Sequence, residues 1–395
     1  MHYAPLRFVR SGAAVAVLAA LTAVAVTVAG PSASAAPSLA RPAMVWSVQP
    51  LTPVLTGMNP EGVSCVGATC VTAGYPCHTQ CGGGPMVGQV FYSANAGVTW
   101  RLATVPSNVG DEFAVACATT STCFALWGSG ALIRSTDAGS TWSRVGLPAH
   151  FSSSSIACVP SRECVIAGTN EATNTSELVT DDGSGAWLPS RTAIPGMANP
   201  GSLACAAEGA HNAACLVIGS NAGGGATAAW THDAGVSWVR VRFPRVISSN
   251  AAVSCSGPSR CVVASFLQVP GTAKIVSYSA LSTDAGVTWH TYALPSGMIP
   301  WALSCVSSAT CVLTGETTNE QARIFVSRTD GRTWMRQGVP GALASAYPRG
   351  IVTSISCEGT FCVAGGTAFS SDLSLTGGGY MVRGVFARGG AGHAS

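Results

Sequence analysis

Ser282-Thr283-Asp284-Ala285-Gly286-Val287-Thr288-Trp289 is one copy of a pattern that runs the length of the chain. It returns as Ser135-Thr136-Asp137-Ala138-Gly139-Ser140-Thr141-Trp142 and as Thr231-His232-Asp233-Ala234-Gly235-Val236-Ser237-Trp238. Looser copies end at Trp100, with Asn95 in the Asp place, at Trp187, with Asp181 and one extra residue, and at Trp334, with Thr329. Asp-x-Gly between two apolar runs is a hairpin signal. Gly supplies a positive φ, and the Asp carboxylate accepts hydrogen bonds from its own turn. The Trp then opens the next strand and faces a core.

Outward from each copy, the repeat has four parts. An apolar run ends in Cys, as in Ala302-Leu303-Ser304-Cys305, and a short polar turn follows. A second run starts with Cys, as in Cys311-Val312-Leu313-Thr314-Gly315; a third run leads into the Asp turn, and a fourth begins at its Trp. First cysteines recur every 41 to 52 residues, the length of a four-stranded propeller blade. There are seven Cys hairpins but six Trp turns behind them. The missing outer strand stands at the other end, as Val45-Trp46-Ser47-Val48-Gln49-Pro50. The expected fold is therefore all-β, a seven-bladed β-propeller closed by an N-terminal strand that completes the last blade. Its first strands are expected near 352–357 and 361–367, and its third within Tyr380–Phe386. Closure of this kind removes a free sheet edge. The expected organisation is a signal peptide over 1–36, a propeller over 37–387 and a loose tail over 388–395.

The motif S-x-D-x-G-x-[ST]-W resembles the Asp-box of bacterial sialidases. That repeat also occurs in other glycosidases, in sortilin-type receptors and in photosystem II assembly factor-like propellers. The resemblance implies propeller blades, with Asp137, Asp181, Asp233 and Asp284 in structural turns away from any catalytic centre. Sialidases also carry an Arg-Ile-Pro motif, arginines that clamp a substrate carboxylate and a Tyr–Glu nucleophile pair. No Arg-Ile-Pro occurs in this chain, and neither Arg41-Pro42 nor Tyr347-Pro348-Arg349 replaces it.

Composition narrows the function classes. Charged residues are 9% of the chain and the net charge is +3, with no basic run, so a nucleic-acid partner is not indicated. Arg7 and Arg10, the apolar stretch Ala13–Ala29 and Ala33-Ser34-Ala35 read as a secretory signal; an uncleaved anchor is the alternative. No second apolar span of membrane length follows, so no membrane span is expected after signal cleavage. The expected location is secreted or cell-surface.

Sixteen cysteines in an exported chain point to disulfides. One pair per repeat makes local pairing the economical choice: Cys65/Cys70, Cys117/Cys123, Cys158/Cys164, Cys205/Cys215, Cys255/Cys261, Cys305/Cys311 and Cys357/Cys362, with Cys77/Cys81 as an extra pair. Each short loop so closed stabilises by roughly 2 kcal/mol. Cys77-His78-Thr79-Gln80-Cys81 has half the ligands of a metal site and no second half, so neither metal nor cofactor is expected.

In such blades the disulfide hairpins and Asp turns share one face. The opposite face carries the blade connections and second-to-third loops, which vary most and suit ligand contact. Its binding candidates are Glu61, Asp111, Glu112, Trp127, Phe151, Trp301, Glu316, Tyr347 and Arg349. Phe113, His150, Glu171, Glu177, Arg245, Met298, Glu320 and Arg323 accompany them. Trp127, Trp301 and Tyr347 fall outside the Trp period; stacking on a ligand and packing between blades both remain open for them. Asp111-Glu112 with Glu61 would offer the two carboxylates of glycoside hydrolysis. The leading expectation is an exported, non-catalytic binding or scaffold protein for a cell-surface glycan or an exported protein. A sialidase-like or xyloglucanase-like glycosidase is the alternative.

Overall fold

A computed structural model describes residues 44–49, 58–76, 88–107, 113–127, 130–160, 163–181, 186–209, 212–340, 349–369 and 378–386. The signal segment, Cys77/Cys81, Asp111-Glu112, Tyr347 and the C-terminal tail lie outside the described residues.

Seven four-stranded antiparallel sheets form the blades of a β-propeller. In chain order the inner strands are Met58–Val66, Phe113–Cys117, Phe151–Cys158, Asn199–Glu208, Ala252–Gly257, Met298–Cys305 and Arg349–Glu358. The second strands are Thr69–Pro76, Cys123–Trp127, Cys164–Asn170, Asn212–Ser220, Arg260–Gln268, Cys311–Thr317 and Phe361–Phe369. The third strands are Gln89–Ser93, Leu132–Ser135, Thr175–Asp181, Ala226–Thr231, Ile275–Ser282, Ala322–Ser327 and Gly379–Phe386. Outer strands of blades 1 to 6 are short, from Arg101–Leu102 to Met335–Gln337. The outer strand of blade 7 is Met44–Val48, which pairs with Gly379–Phe386 and puts Trp46 in one sheet with Cys357 and Cys362. The ring is thus closed by its first strand, as the unmatched Trp46 implied. Seven apolar clusters each span two neighbouring blades, the last joining Val363 and Met381 of blade 7 to Met58, Phe91 and Trp100 of blade 1.

All seven first hairpins set their two cysteines directly opposite each other. Disulfides close them as Cys65–Cys70, Cys117–Cys123, Cys158–Cys164, Cys205–Cys215, Cys255–Cys261, Cys305–Cys311 and Cys357–Cys362, with Cα–Cα distances of 3.9 to 4.1 Å. The second-strand sulfurs lie in the core: Cys70, Cys123, Cys215, Cys261, Cys311 and Cys362 are fully buried, and Cys164 nearly so. Each of these seven cysteines belongs to a different interblade cluster. The reason is that a second strand is central in its sheet and is packed on its faces by neighbouring blades. The bridges are therefore scaffold, and Cys70, Cys215 and Cys261 offer no surface to a ligand. The Ser that precedes Cys in four blades stitches the ring. Ser64 Oγ accepts from Cys117 N at 2.9 Å, Ser254 from Cys305, Ser304 from Cys357 and Ser356 from Cys65, each across a blade boundary.

The Asp turns are hydrogen-bonded throughout. Asp137 accepts from Ser135 Oγ at 2.8 Å, Thr141 N at 2.9 Å and Thr141 Oγ1 at 2.6 Å. Asp284 and Asp233 repeat this set with Thr288 and Ser237. Asn95 and Thr329 fill the acceptor role in their copies. Burial raises the carboxyls of Asp137, Asp233 and Asp284, and the donated hydrogen bonds outweigh it, so all three lie below the ordinary carboxylate value. Positive φ is shared by two residues, Ala138 at 62° and Gly139 at 91°, where the sequence pointed to Gly alone. Ala138 N donates to Ser121 O in the disulfide turn of its own blade, so the two turns share a face and touch. A Cβ on Gly139 would press on Val71 and Tyr92 of blade 1, which makes this Gly a spacer between blades as well. Trp142, Trp289 and Trp334 end the turn instead of opening the strand, because each indole N–H donates to the turn Gly carbonyl. Asp181 differs: it ends its strand and pairs with Trp187.

Candidate functional site

The rim opposite the disulfides is shaped by a recurring β-bulge. Five inner strands carry one extra residue four positions before their Cys: Glu61, Ser154, Gly201, Trp301 and Thr353. A bulge pushes one inner-strand carbonyl against the second strand. The second strand answers with Gly four positions after its own Cys, at Gly74, Gly168, Gly219, Gly315 and Gly366. A Cβ on any of them would overlap the carbonyl oxygen of Asn59, Ser152, Asn199, Ile299 or Ile351. The two blades that show no bulge at this place hold Trp127 and Ser265 at the Gly position.

This pattern sorts the aromatic candidates. Trp301 sits on a bulge and is 46% exposed. Its indole N–H donates to Glu316 Oε1 at 3.1 Å, and its ring meets Phe266 of blade 5 edge-on at 6.5 Å. Trp127 takes a Gly position and is 1% exposed, inside the cluster between blades 1 and 2. Trp127 is thus inter-blade packing, one of the two readings left open for it, and drops out of the surface contacts. Phe151 and Met298 are corrected: Phe151 packs between blades 2 and 3 and Met298 between blades 5 and 6, both buried. Tyr347, Asp111 and Glu112 are outside the described residues.

The carboxylates at the rim are strained electrostatically. Burial pushes the Glu316 carboxyl up to about 7; the Trp301 hydrogen bond opposes this, and the charge of Glu320 adds to it. Glu61 is also raised by burial, with a hydrogen bond from Tyr75 working against the rise. Tyr75 in blade 1 and Glu316 in blade 6 hold the same place, five residues after Cys, each bonded to the bulge residue of its blade. Blades 1 and 6 therefore carry the same pair, aromatic and acidic, with the two roles exchanged. Blade 7 lies between them. Its Arg349 pairs with Glu320 at 3.4 Å, and its Thr353 Oγ1 donates to Pro60 O at 2.7 Å. Its buried Tyr380 donates to Ile351 O, and burial and then the Glu316 charge raise its phenol.

Other candidates are placed apart. Glu177 lies in the third strand of blade 3 and accepts from Asn170 Nδ2 at 3.3 Å; Glu171 and Arg245 are exposed. His150 has a φ of 63°, and its carbonyl accepts from Glu171 N. Arg323 lies in the third strand of blade 6 and lines a cleft of about 400 Å³. Among the described residues no group of three His, Cys, Asp or Glu is placed to hold a metal ion, and no helix is long and apolar enough to cross a membrane. The sequence reading missed Tyr75, Phe266 and Tyr380. The signal for Tyr75 and Phe266 was their position, five residues after the second-strand Cys.

The model of the DUF6242 beta propeller domain matches residues 86–302. The chain belongs to this DUF6242 propeller family. Among solved structures, this family member is similar to YCF48 bound to D1 peptide, at 12% identity and a TM-score of 0.55, over 88% of this chain and 100% of that one. It is also similar to YCF48 from Cyanidioschyzon merolae, at 11% identity and a TM-score of 0.52, over 86% and 98%. Trypanosoma rangeli sialidase in complex with the inhibitor DANA aligns at 11% identity and a TM-score of 0.43, over 84% and 55%. These likenesses concern the fold. No curated protein matches the sequence. The seven intramolecular disulfides among the described residues are consistent with an extracytoplasmic location.

Proposed function

We propose that this protein is an exported binding propeller whose rim, opposite the disulfides, holds a cell-surface glycan against Trp301. The turns that carry Asp137, Asp233 and Asp284 are read as Asp-boxes that build the scaffold and take no part in binding. The observation that carries the reading is the exposed indole of Trp301 on an inner strand. Its N–H is already used by Glu316, so the ring offers a fixed apolar face. Sugars present apolar C–H faces flanked by hydroxyls, and the partly exposed Glu320 and Arg349 of the same rim offer polar partners for the hydroxyls. Aromatic anchors of this kind dominate binding hot spots. Glycan-array screening of the mature protein, followed by Trp301→Ala, tests it. The variant should lose more than about 1 kcal/mol of affinity and keep its melting temperature. Equal binding by both proteins removes Trp301 from the site.

A second reading is favoured by the raised carboxyls of Glu61 and Glu316, since a general acid must be protonated at working pH. Hydrolysis of a glycan bound at the rim, lost in both Glu61→Gln and Glu316→Gln, would support glycosidase action. Blade 7 separates the two residues, so binding without turnover is the reading preferred. A polypeptide is the other occupant to test, because YCF48, a propeller of the same fold, is seen with a bound peptide.

A further inference from the structure

The cleft between blades 5 and 6 has neither Trp301 nor Glu316 in its lining. It holds about 400 Å³ and is walled by Pro295, Met298, Phe325 and Trp334, with Ser296 and Thr317 adding hydroxyls. Arg323 and Arg336 complete its lining. Phe325 and Arg336 are cross-strand partners, and Arg323 lies two residues before Phe325, so all three side chains leave blade 6 on the side facing blade 5. Trp334 is pinned, its N–H donating to Gly331 O at 3.0 Å and Ser279 Oγ at 3.1 Å. Arg323 is held by Ala322 O at 2.9 Å and by the Gln321 side chain.

Two guanidiniums in one cleft repel each other. Burial and then the charge of Arg336 lower the Arg323 pKa. Among the described residues, ion pairs join His232 to Glu208, Arg260 to Asp330 and Arg349 to Glu320. Arg260 and Arg349 are therefore neutralised by close acidic partners, and among the described residues no ion pair neutralises Arg323 or Arg336. Arg323 is half-buried and Arg336 is exposed at the mouth of the cleft, and two neighbouring guanidiniums can bind an oxyanion by parallel N–H donors.

We propose that this cleft is a binding site for an acidic sugar residue, its carboxylate or sulfate lying between Arg323 and Arg336. The ring of such a sugar fits the cleft volume and meets the Trp334 and Phe325 wall, and Ser296 and Thr317 answer its hydroxyls. The choice of a sugar rests on the glycan reading above; the oxyanion chemistry does not.

The test is calorimetric titration of the mature protein with a uronate tetrasaccharide, a sulfated neutral tetrasaccharide, the unsulfated neutral tetrasaccharide and an acidic hexapeptide, at 50 and 150 mM salt. At least one of the two acidic sugars should bind, more weakly at the higher salt, and the neutral sugar at least tenfold more weakly still. Arg336→Gln and Arg323→Gln should each weaken binding tenfold or more. Arg245→Gln, an exposed arginine of the connection between blades 4 and 5, should leave it unchanged. Loss of acidic-sugar binding in Trp301→Ala with binding kept in both arginine variants would place the sugar at the rim and overturn this site, which separates failure of this site from failure of the rim. Equal loss in Arg245→Gln would overturn the site in favour of general charge attraction. Equal binding of the neutral sugar would remove the oxyanion, and binding of the peptide alone would remove the sugar. Melting curves of the Gln variants must match the parent protein; if one unfolds, Arg336→Lys supplies the comparison, with charge kept and the bidentate geometry lost.

Discussion

Replacing Glu316 by Gln should abolish a pH dependence of stability that the fold creates. In the native protein this carboxyl is buried and its pKa stands at about 7, up from 4.5. Burial is the main cause, opposed by the Trp301 hydrogen bond and reinforced by Glu320. A value raised in the folded state means that the native protein binds the proton more tightly than the unfolded chain. The associated stability is complete below about pH 4.5 and is lost as pH rises through about 7. At ~1.4 kcal/mol per pH unit, that interval corresponds to about 3.5 kcal/mol. Gln has no proton to lose, and its side-chain carbonyl can still accept from Trp301. Urea unfolding followed by Trp fluorescence, with disulfides intact, should be run on both proteins at pH 5 and pH 8. The parent should lose about 2.5 kcal/mol more than the variant across this interval. Glu61, also raised, affects both proteins alike and cancels in the subtraction. Asp137, Asp233 and Asp284 have lowered values, so their contribution is lost only as pH falls below the ordinary Asp range, outside this window. A difference under about 0.5 kcal/mol would refute the argument that desolvation governs Glu316.

Asp284→Ala removes the acceptor for Thr288 N and should cost on the order of 1–3 kcal/mol in chemical unfolding. Ligand binding should survive in the folded fraction; its loss at unchanged stability would move the site to the Asp-turn face. Gly315→Ala drives a Cβ into Ile299 O and should cost more than about 2 kcal/mol in chemical unfolding. An unchanged melting temperature would show that the bulge tolerates a side chain. Deleting residues 37–52 removes the outer strand of blade 7 and bares the edge of Gly379–Phe386. Size-exclusion chromatography should then show self-association and melting should lose its single sharp step; a monomer with the parent melting temperature would contradict closure by this strand.

Two periods were written in the sequence and needed no tertiary context. Cys spacing and the Ser-x-Asp-x-Gly-x-Thr-Trp turns are local devices, closed within a few residues by hydrogen bonds and disulfides, so their number and order give the seven blades. The unmatched Trp46 gave ring closure for the same reason: a count of strands left one place empty. Even the bulges are legible in retrospect, because a Cα without Cβ at Gly74, Gly168, Gly219, Gly315 and Gly366 is what the displaced carbonyl demands.

The fate of single side chains was a different matter. The pairing of Cys70, Cys215 and Cys261 follows from spacing, but their complete burial follows from the blade packed against them. Trp127 and Trp301 look alike in sequence, both outside the Trp period. One lies in a Gly position on a second strand, where its ring fills the gap between blades. The other lies on the extra residue of a bulge, where the strand turns it outward. Glu316 reads as a loop carboxylate, yet it stands on a strand, buried beside Tyr380 of the next blade, and that neighbour is 64 residues away in the chain. Arg323 and Arg336 share a cleft because cross-strand pairing places them on one face of blade 6. Local hydrogen bonding and spacing determine which elements form. Exposure, desolvation and the meeting of like charges depend on which blade packs against which face, and only the closed ring decides that.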